Sequence, residues 1–205
     1  SLISFGVLGF YDDVKKLANG KSQFFGLRFR HKFFIQWVLA LIIGFIFYWQ
    51  LGYDFVFIHG FGIVNIGWVF IPLSAFVIVS FVNAFNITDG LDGLASGLFL
   101  ICLGAFLVIS AGILVDQFLG IFIAILMGSV ASFLYFNIRP ARLFLGDTGA
   151  LAFGATFAVI GLVLGKAFTL TIVGGIFVVE IFTSLVQLLG KRFLKRKIFP
   201  VAPLH

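Results

Sequence analysis

The length, composition and charge of this chain are those of a helical membrane protein. Of its 205 residues, 61% are hydrophobic and only 11% are charged, whereas a soluble domain carries about 25% charged residues. The composition excludes a soluble globular domain, and the long apolar runs exclude the short alternating strands of an outer-membrane barrel.

Six full membrane-spanning helices and the end of one more are predicted along the chain. The first ten residues are apolar but would rise only about 15 Å as a helix, half of a ~30 Å membrane core, so we expect them to end a helix that starts earlier. The full spans are predicted at 33–52, 63–82, 93–114, 117–136, 149–165 and 168–190. The predicted fold class is all-α, a polytopic helical membrane protein in which residues 1–205 form a single integral membrane domain.

The cations divide the connections between these spans into two groups. The connections 11–32, 83–92 and 137–148 and the tail 191–205 hold 13 of the 14 Lys and Arg residues, and Lys166 lies on the other side. Cationic loops stay in the cytoplasm, so these segments are predicted to be cytoplasmic. The formal net charge of +6 is therefore explained by topology and by anionic membrane lipids, which argues against nucleic acid as a partner.

The predicted cytoplasmic connections also hold five carboxylates. They are Asp12, Asp13, Asp89, Asp92 and Asp147. Because Asp contributes little to membrane orientation, their presence amid thirteen cations suggests a metal–phosphate site. In the motif GFYDDVKK, Lys16 shares a helical face with Asp13, an arrangement that suits a phosphate and its counter-ion; a mixed-charge helix end is the structural alternative.

Two further motifs place polar groups at membrane boundaries. In NAFNITDGLDGLASG, the amides of Asn83 and Asn86 accompany Asp89 and Asp92. One helix cap explains one Asp, but it does not explain the whole set where unpaired polar groups are costly. In FNIRPARLFLGDTG, Asp147 precedes a span and is either an N-cap or a ligand of Mg²⁺, which prefers one or two carboxylates plus substrate phosphates.

Three other residues keep two interpretations at this point. Phe144, in a polar connection, either stacks on a planar ring or anchors the connection in lipid or in the core. Glu180, in the middle of a span, must find a partner or stay protonated, and it invites the alternative of a transporter or channel. The tail KRFLKRKIFPVAPLH is first a cationic anchor, and its last residue, His205, indicates nothing by itself.

The chain resembles the phospho-N-acetylmuramoyl-pentapeptide transferase family over essentially its whole length. The resemblance rests on four motifs in order: GFYDDVKK, NAFNITDGLDGLASG, FNIRPARLFLGDTGAL and FPVAPLH. It implies an enzyme of peptidoglycan synthesis that moves the phospho-sugar of UDP-MurNAc-pentapeptide to undecaprenyl phosphate, with Mg²⁺ as cofactor and release of UMP. It also implies a multi-pass protein of the bacterial cytoplasmic membrane, with its active site on the cytoplasmic face, and it suggests a homodimer.

The resemblance further implies roles for individual residues. Asp147 would be the Mg²⁺ ligand, Asp12 and Asp13 would deprotonate or position the polyprenyl phosphate, Phe144 would stack on uracil, and His205 would face the sugar-peptide side. The implied catalytic set is Asp12, Asp13, Lys16, Asp89, Asp147 and His205. The implied substrate-binding set is Asn83, Asn86, Asp92, Asn137 and Phe144.

Two alternative functions stay open beside the one that the resemblance implies. A related enzyme would transfer N-acetylglucosamine phosphate, although such relatives usually carry a different residue where Lys16 stands. A transporter would show inverted repeats and half-helices that meet at the bilayer midplane, and the sequence has no such symmetry. The family has more spans than the chain contains, so we expect a piece that lacks early helices and a last span and is inactive alone.

Overall fold

A computed structural model describes residues 1–18, 27, 29–58, 62–114, 116–165, 167–194, 198–199 and 203. Their contacts divide the chain into two compact units. The first unit combines Ser1–Val82 with Leu145–Leu170, and the second combines Asn83–Phe144 with Thr171–His205. Each unit brings together segments that are distant in sequence.

The first unit is built mainly from helices α1 (Leu2–Ala18), α2 (Phe29–Gln50), most of α3 (Phe70–Thr88) and α6 (Gly146–Val163). Its core contains Phe81 and Phe157, whose ring centroids lie 5.4 Å apart in an edge-to-face arrangement, the geometry that aromatic pairs prefer. An antiparallel hairpin of β1 (Phe55–Ile58) and β2 (Gly62–Asn65) pairs Phe55 with Asn65. A 3₁₀ turn at Gly67–Val69 then leads into α3.

The second unit contains α4 (Leu94–Val108), α5 (Gln117–Asn137) and α8 (Gly175–Leu189), together with the end of the short helix α7 (Ala167–Val173). Single π-helical turns follow α4 at Ile109–Leu114 and α8 at Gly190–Leu194. The buried Phe85 ring lies 5.4 Å from Phe99 and 5.1 Å from Phe177. Large aromatic side chains therefore fill the core of this unit as well.

Five of the described helical segments are long and apolar enough to cross a membrane, which confirms the predicted polytopic helical membrane fold. They are Arg30–Gln50, Gly67–Thr88, Leu94–Gly112, Gln117–Asn137 and Gly146–Val163. The sixth predicted span, 168–190, contains two shorter helices, because α7 ends at Val173 and α8 begins at Gly175. The adjacent Gly174 and Gly175 explain the interruption, since glycine is among the weakest helix formers.

Several predicted boundaries differ from the observed ones. Helix α1 continues to Ala18 and α3 to Thr88, so parts of the predicted connections 11–32 and 83–92 are helical. The hairpin lies largely in the predicted connection 53–62 and has no counterpart in the all-helical prediction. Its strands are four residues each, too short for a sequence pattern to separate them from the flanking apolar runs.

Candidate functional site

In the first unit, a candidate site forms where α1 packs against the start of α6. Gly9 is buried in this contact, and a Cβ atom placed on it would lie 2.6 Å from the Cα of Thr148. No side chain fits that space, so the glycine allows the two backbones to approach closely. One turn later on α1, Asp12 and Asp13 consequently lie beside the first turn of α6.

Asp13 caps the N-terminus of α6 from a different helix. Its Oδ2 accepts hydrogen bonds from the backbone N–H of Thr148 at 2.9 Å and from the Thr148 hydroxyl at 2.7 Å. Its Oδ1 accepts a bond from the backbone N–H of Asp147 at 3.3 Å. Leu145, the residue at the cap position of α6, has an apolar side chain that cannot accept these bonds. A carboxylate at this place also complements the positive end of the helix dipole.

Asp12 faces a different set of partners, and only 3% of its side chain is exposed. Its Oδ1 accepts a hydrogen bond from the Leu27 N–H at 2.5 Å. Its Oδ2 lies 3.1 Å from the Lys16 Nζ and 3.3 Å from the Lys32 Nζ. The adjacent carboxylates therefore point apart, since neighbouring side chains on a helix do not face each other.

Asp147 closes this cluster by contacting the same two lysines. Its Oδ2 accepts hydrogen bonds from Lys16 and from Lys32, the latter at 2.8 Å. Two ammonium groups thus lie between the carboxylates of Asp12 and Asp147. We call Asp12, Asp13, Lys16, Lys32 and Asp147 the acidic–lysine cluster; its formal charges of three carboxylates and two ammonium groups sum to −1.

The electrostatics of the cluster favour its charged groups. Burial alone would raise the pKa of Asp12, but hydrogen bonds from the Leu27 N–H and from Lys16, together with the Lys32 charge, hold that pKa below its ordinary value of 3.8. Burial alone would lower the pKa of Lys16, but hydrogen bonds and charge attraction from Asp147 and Asp12 raise it above 10.5. Asp12 and Lys16 are consequently both ionised at neutral pH.

The donor set fits a hard divalent cation only together with additional ligands. Within the described ranges, no group of three or more His, Cys, Asp and Glu side chains is arranged to hold a metal ion. The Oδ2 atoms of Asp12 and Asp147 nevertheless converge on the same two ammonium nitrogens. Mg²⁺ is typically bound by one or two carboxylates, with substrate phosphates and waters completing its shell, and this pair of oxygens meets that requirement.

In the second unit, the candidate residues are organised by Asn137 at the end of α5. This side chain is buried, and its Oδ1 accepts hydrogen bonds from the Gly93 N–H at 3.1 Å and the Ser96 hydroxyl at 2.8 Å. Its Nδ2 donates to the carbonyl of Leu143 at 2.9 Å. Asn137 thus joins the start of α4, the end of α5 and the connection that carries Phe144.

The other predicted site residues that the structure describes in the second unit are more accessible than Asn137. Asp92 is exposed, and its Oδ2 accepts a hydrogen bond from the Ala141 N–H at 3.2 Å. Asn83 and Asn86 lie three residues apart in the final turns of α3, where they share a face, and with Asp89 just beyond the helix they are half-buried. Phe144 presents 75% of its surface to solvent, which leaves its ring accessible to a planar ligand.

Comparison with known proteins identifies the family. Residues 1–165 match the family model described as glycosyl transferase family 4. The chain belongs to glycosyl transferase family 4. It is also similar to proteins named phospho-N-acetylmuramoyl-pentapeptide-transferase. The relative from Oceanobacillus iheyensis is 36% identical over 205 residues, covering 100% of this chain and 62% of the relative. The relative from Desulforudis audaxviator is 36% identical over 212 residues, covering 99% and 63%.

The family match and the named relatives together confirm the resemblance inferred from the four motifs. The chain spans about 62% of the length of a curated relative it matches. Of the predicted site residues, Asp12, Asp13, Lys16 and Asp147 come together in the first unit. The others that the structure describes belong to the second unit. They are Asn83, Asn86, Asp89, Asp92, Asn137 and Phe144. His205 lies outside the described residues.

Two residues of this candidate site, Lys32 and Thr148, are not identified from the sequence alone. Lys32 was assigned to the cationic topology signal, yet it bridges Asp12 and Asp147. The signal that would have identified it is its place in the first turn of α2, where a cation opposes the helix dipole and needs an acidic partner. Thr148 is predicted from the sequence only to precede a helix, whereas its hydroxyl and its N–H both donate hydrogen bonds to Asp13.

Proposed function

We propose that the protein carrying this chain transfers phospho-N-acetylmuramoyl-pentapeptide from its UDP derivative to undecaprenyl phosphate, at the cytoplasmic face of a bacterial inner membrane. The products are lipid I and UMP, and the pathway is peptidoglycan biosynthesis. The observation that carries this proposal is the acidic–lysine cluster at the α1–α6 contact, in a chain that belongs to glycosyl transferase family 4. The names of its relatives support the choice of substrates.

The chemistry is a phosphoryl transfer between two anionic substrates. An oxygen of the lipid phosphate attacks the phosphorus linked to the sugar, the bond from that phosphorus to the bridging oxygen breaks, and UMP leaves with the electron pair. Such reactions depend mostly on positioning and on stabilisation of phosphate charge. Lys16 and Lys32, which lie between Asp12 and Asp147, would supply positive charge to the phosphates.

The carboxylates of the cluster divide the remaining work. Asp147, with Asp12 close by, would hold Mg²⁺, which when bound offsets phosphate charge and polarises phosphoryl oxygens. Asp13 would act by positioning, because its three hydrogen bonds to the first turn of α6 hold the backbone that carries Asp147. Asp12, which is buried and held ionised by its partners, would position the lipid phosphate through the two lysines that it contacts.

The second unit would bind the nucleotide-sugar. In this proposal Asn83, Asn86, Asp89 and Asp92 line its pocket. The exposed ring of Phe144 would stack on uracil, and Asn137 would hold the connection that carries this ring through its bond to Leu143.

The test is UMP release by the purified protein carrying this chain, supplied with undecaprenyl phosphate and Mg²⁺ and with each nucleotide-sugar in turn. We expect release with UDP-MurNAc-pentapeptide, loss of release in Asp147→Asn, and near-normal release in the control Asp54→Asn, an exposed carboxylate outside the cluster. Release with UDP-N-acetylglucosamine alone would move the proposal to the related transferase. Absence of release with both donors from folded protein would contradict it and favour the transporter alternative.

A further inference from the structure

A glutamine of the second unit, Gln187, is buried on the largely apolar helix α8. Gln187 lies on α8, one turn before the π-helical turn at Gly190–Leu194, and only 6% of its surface is exposed. Its neighbours along α8 are largely apolar. A primary amide in such surroundings is costly unless its oxygen and its N–H groups find partners.

Gln187 finds those partners in the main chain of a later segment. Its Oε1 accepts hydrogen bonds from the N–H of Ile198 at 3.1 Å and from the N–H of Phe199 at 3.0 Å. Its Nε2 donates to the carbonyl of Phe199 at 3.2 Å. The oxygen meets two donors and the nitrogen meets an acceptor, so these partners are consistent with only one orientation of the amide.

These three hydrogen bonds, which we call the clamp, hold the main chain of residues 198 and 199 rather than a side chain. They engage both polar groups of Phe199 and the N–H of Ile198, so the segment is held whichever side chains it carries. The chain reaches this position after the π-helical turn at Gly190–Leu194, a rare geometry that is frequent near functional sites. Phe199 is the first residue of the motif FPVAPLH, which ends six residues later at His205.

We infer that Gln187 is a positioning residue for the FPVAPLH segment, and that it acts on the transferase reaction by fixing where this segment starts. The inference rests on the proposed function, in which His205 faces the sugar-peptide part of the donor. Gln187 touches the main chain of the segment and not the reacting atoms. Its loss should therefore affect the use of the nucleotide-sugar donor and leave binding of the lipid acceptor unchanged.

The experiment compares Gln187→Leu, Gln187→Glu and a control, Gln50→Leu, in the protein carrying this chain. Leucine removes all three hydrogen bonds, whereas glutamate keeps an oxygen for the two N–H groups and loses the donor to Phe199. Gln50 is exposed at the end of α2, so its replacement tests the amide-to-leucine change by itself. Two quantities are measured: hydrogen exchange of the peptide that contains residues 198 and 199, and steady-state kinetics with donor and acceptor varied separately.

In Gln187→Leu we expect faster exchange at residues 198–199, and a fall of about 10- to 100-fold in kcat/KM for the donor, the range that a displaced positioning element produces. The KM for undecaprenyl phosphate should stay unchanged, and Gln187→Glu should recover part of the loss. Exchange within α8 reports whether each variant is folded.

Three results would overturn the inference. Unchanged exchange at residues 198–199 in folded Gln187→Leu would show that the clamp is absent in solution. Faster exchange with normal donor kinetics would show that the clamp does not serve the reaction. An equal loss for donor and acceptor would indicate a general structural role. If the wild-type protein releases no UMP from either donor, the proposed function fails first, and the exchange measurement still tests the clamp separately.

Discussion

At the scale of single residues, Asp12 and Asp13 show how one acidic dipeptide serves two purposes. Successive side chains on a helix point about 100° apart, so Asp12 faces Lys16 and Lys32 while Asp13 faces the first turn of α6. The lysine pair gains from this arrangement, because each ammonium group contacts both Asp12 and Asp147. Replacement of Asp12 and replacement of Asp13 should therefore have different effects.

The contribution of Lys32 is tested by replacing it with methionine. Lys32→Met leaves Asp12 and Asp147 with one shared ammonium group, and since a charge-assisted hydrogen bond contributes ~1.5–3 kcal/mol, we expect kcat/KM for UMP release to fall by about 10- to 100-fold. The matched control is Lys15→Met, because Lys15 lies on α1 over the Tyr11 ring, 5.9 Å from its centroid. Equal activity of the two variants would remove Lys32 from the site.

The pH dependence of stability tests the ionisation of Asp12. Its pKa in the folded protein lies below 3.8, so its contribution to the free energy of unfolding is complete well above pH 3.8 and is lost as the pH falls through the lowered pKa. The pKa of Lys16 lies above 10.5, so its contribution is complete below that value and is lost as the pH rises through the raised pKa.

Thermal unfolding of wild-type protein and Asp12→Asn in detergent measures this dependence. The difference in their free energies of unfolding should stay constant from about pH 9 to about pH 5 and shrink in stronger acid. Asp92→Asn is the control, because Asp92 is exposed and the hydrogen bond it accepts, from Ala141, is long at 3.2 Å. A difference between wild type and Asp12→Asn that grows on acidification would have the wrong sign.

At the scale of helices, the α1–α6 contact depends on Gly9, and a second glycine on α1, Gly6, serves as a comparison. A Cβ on Gly9 would lie 2.6 Å from the Cα of Thr148, whereas a Cβ on Gly6 would lie 3.7 Å from the Cβ of Ala152. The first distance requires the backbones to separate, and the second is an ordinary contact. The two glycines therefore separate the effect of helix propensity from that of helix spacing.

We expect Gly9→Ala to destabilise the protein and Gly6→Ala to leave it unchanged or more stable. Overpacking costs typically ~1–3 kcal/mol, while alanine gains about 1 kcal/mol over glycine within a helix. The unfolding temperature in detergent measures both variants. Gly9→Ala should also lose UMP release, since Asp147 lies in the first turn of α6. Two variants of equal stability would show that the spacing at Gly9 is not required.

The same contact shows what the sequence predicts and what it does not. Hydropathy located the apolar helices because a membrane requires about 20 apolar residues for each span. It misplaced the ends of α1 and α3, because the polar residues Asp12, Asn83 and Asn86 lie within these helices. Asp12 is stabilised there by partners outside α1, the Leu27 N–H and Lys32. The bond between Lys32 and Asp147 joins residues 115 positions apart, and no local pattern encodes such a distance.

At the scale of the whole molecule, the distribution of cations specifies an orientation in the membrane. The predicted cytoplasmic segments hold 13 of the 14 Lys and Arg residues, and short cationic loops resist translocation. Within the second unit, this orientation can be examined across a single helix. Leu91 precedes α4 and Gln117 follows it, and both residues are exposed. Because α4 and its π-helical continuation form one apolar span, the two positions should be reached from opposite sides.

Leu91→Cys and Gln117→Cys, labelled with a membrane-impermeant maleimide, test this expectation. The protein without either substitution is the control, since Cys102, the single cysteine of this chain, is buried and should stay unlabelled. We expect Leu91→Cys to react only in inside-out vesicles and Gln117→Cys only in intact cells. The connection 137–148 carries Arg139 and Arg142 and should stay in the cytoplasm, so α5 places Gln117 on the opposite side and α4 returns Leu91 to the cytoplasmic side. Labelling of both from one side would contradict the crossing by α4. A reversed pattern would place Asp89 and Asp92 outside the cell, where no cytoplasmic nucleotide-sugar reaches them, and the proposed function would fail with it.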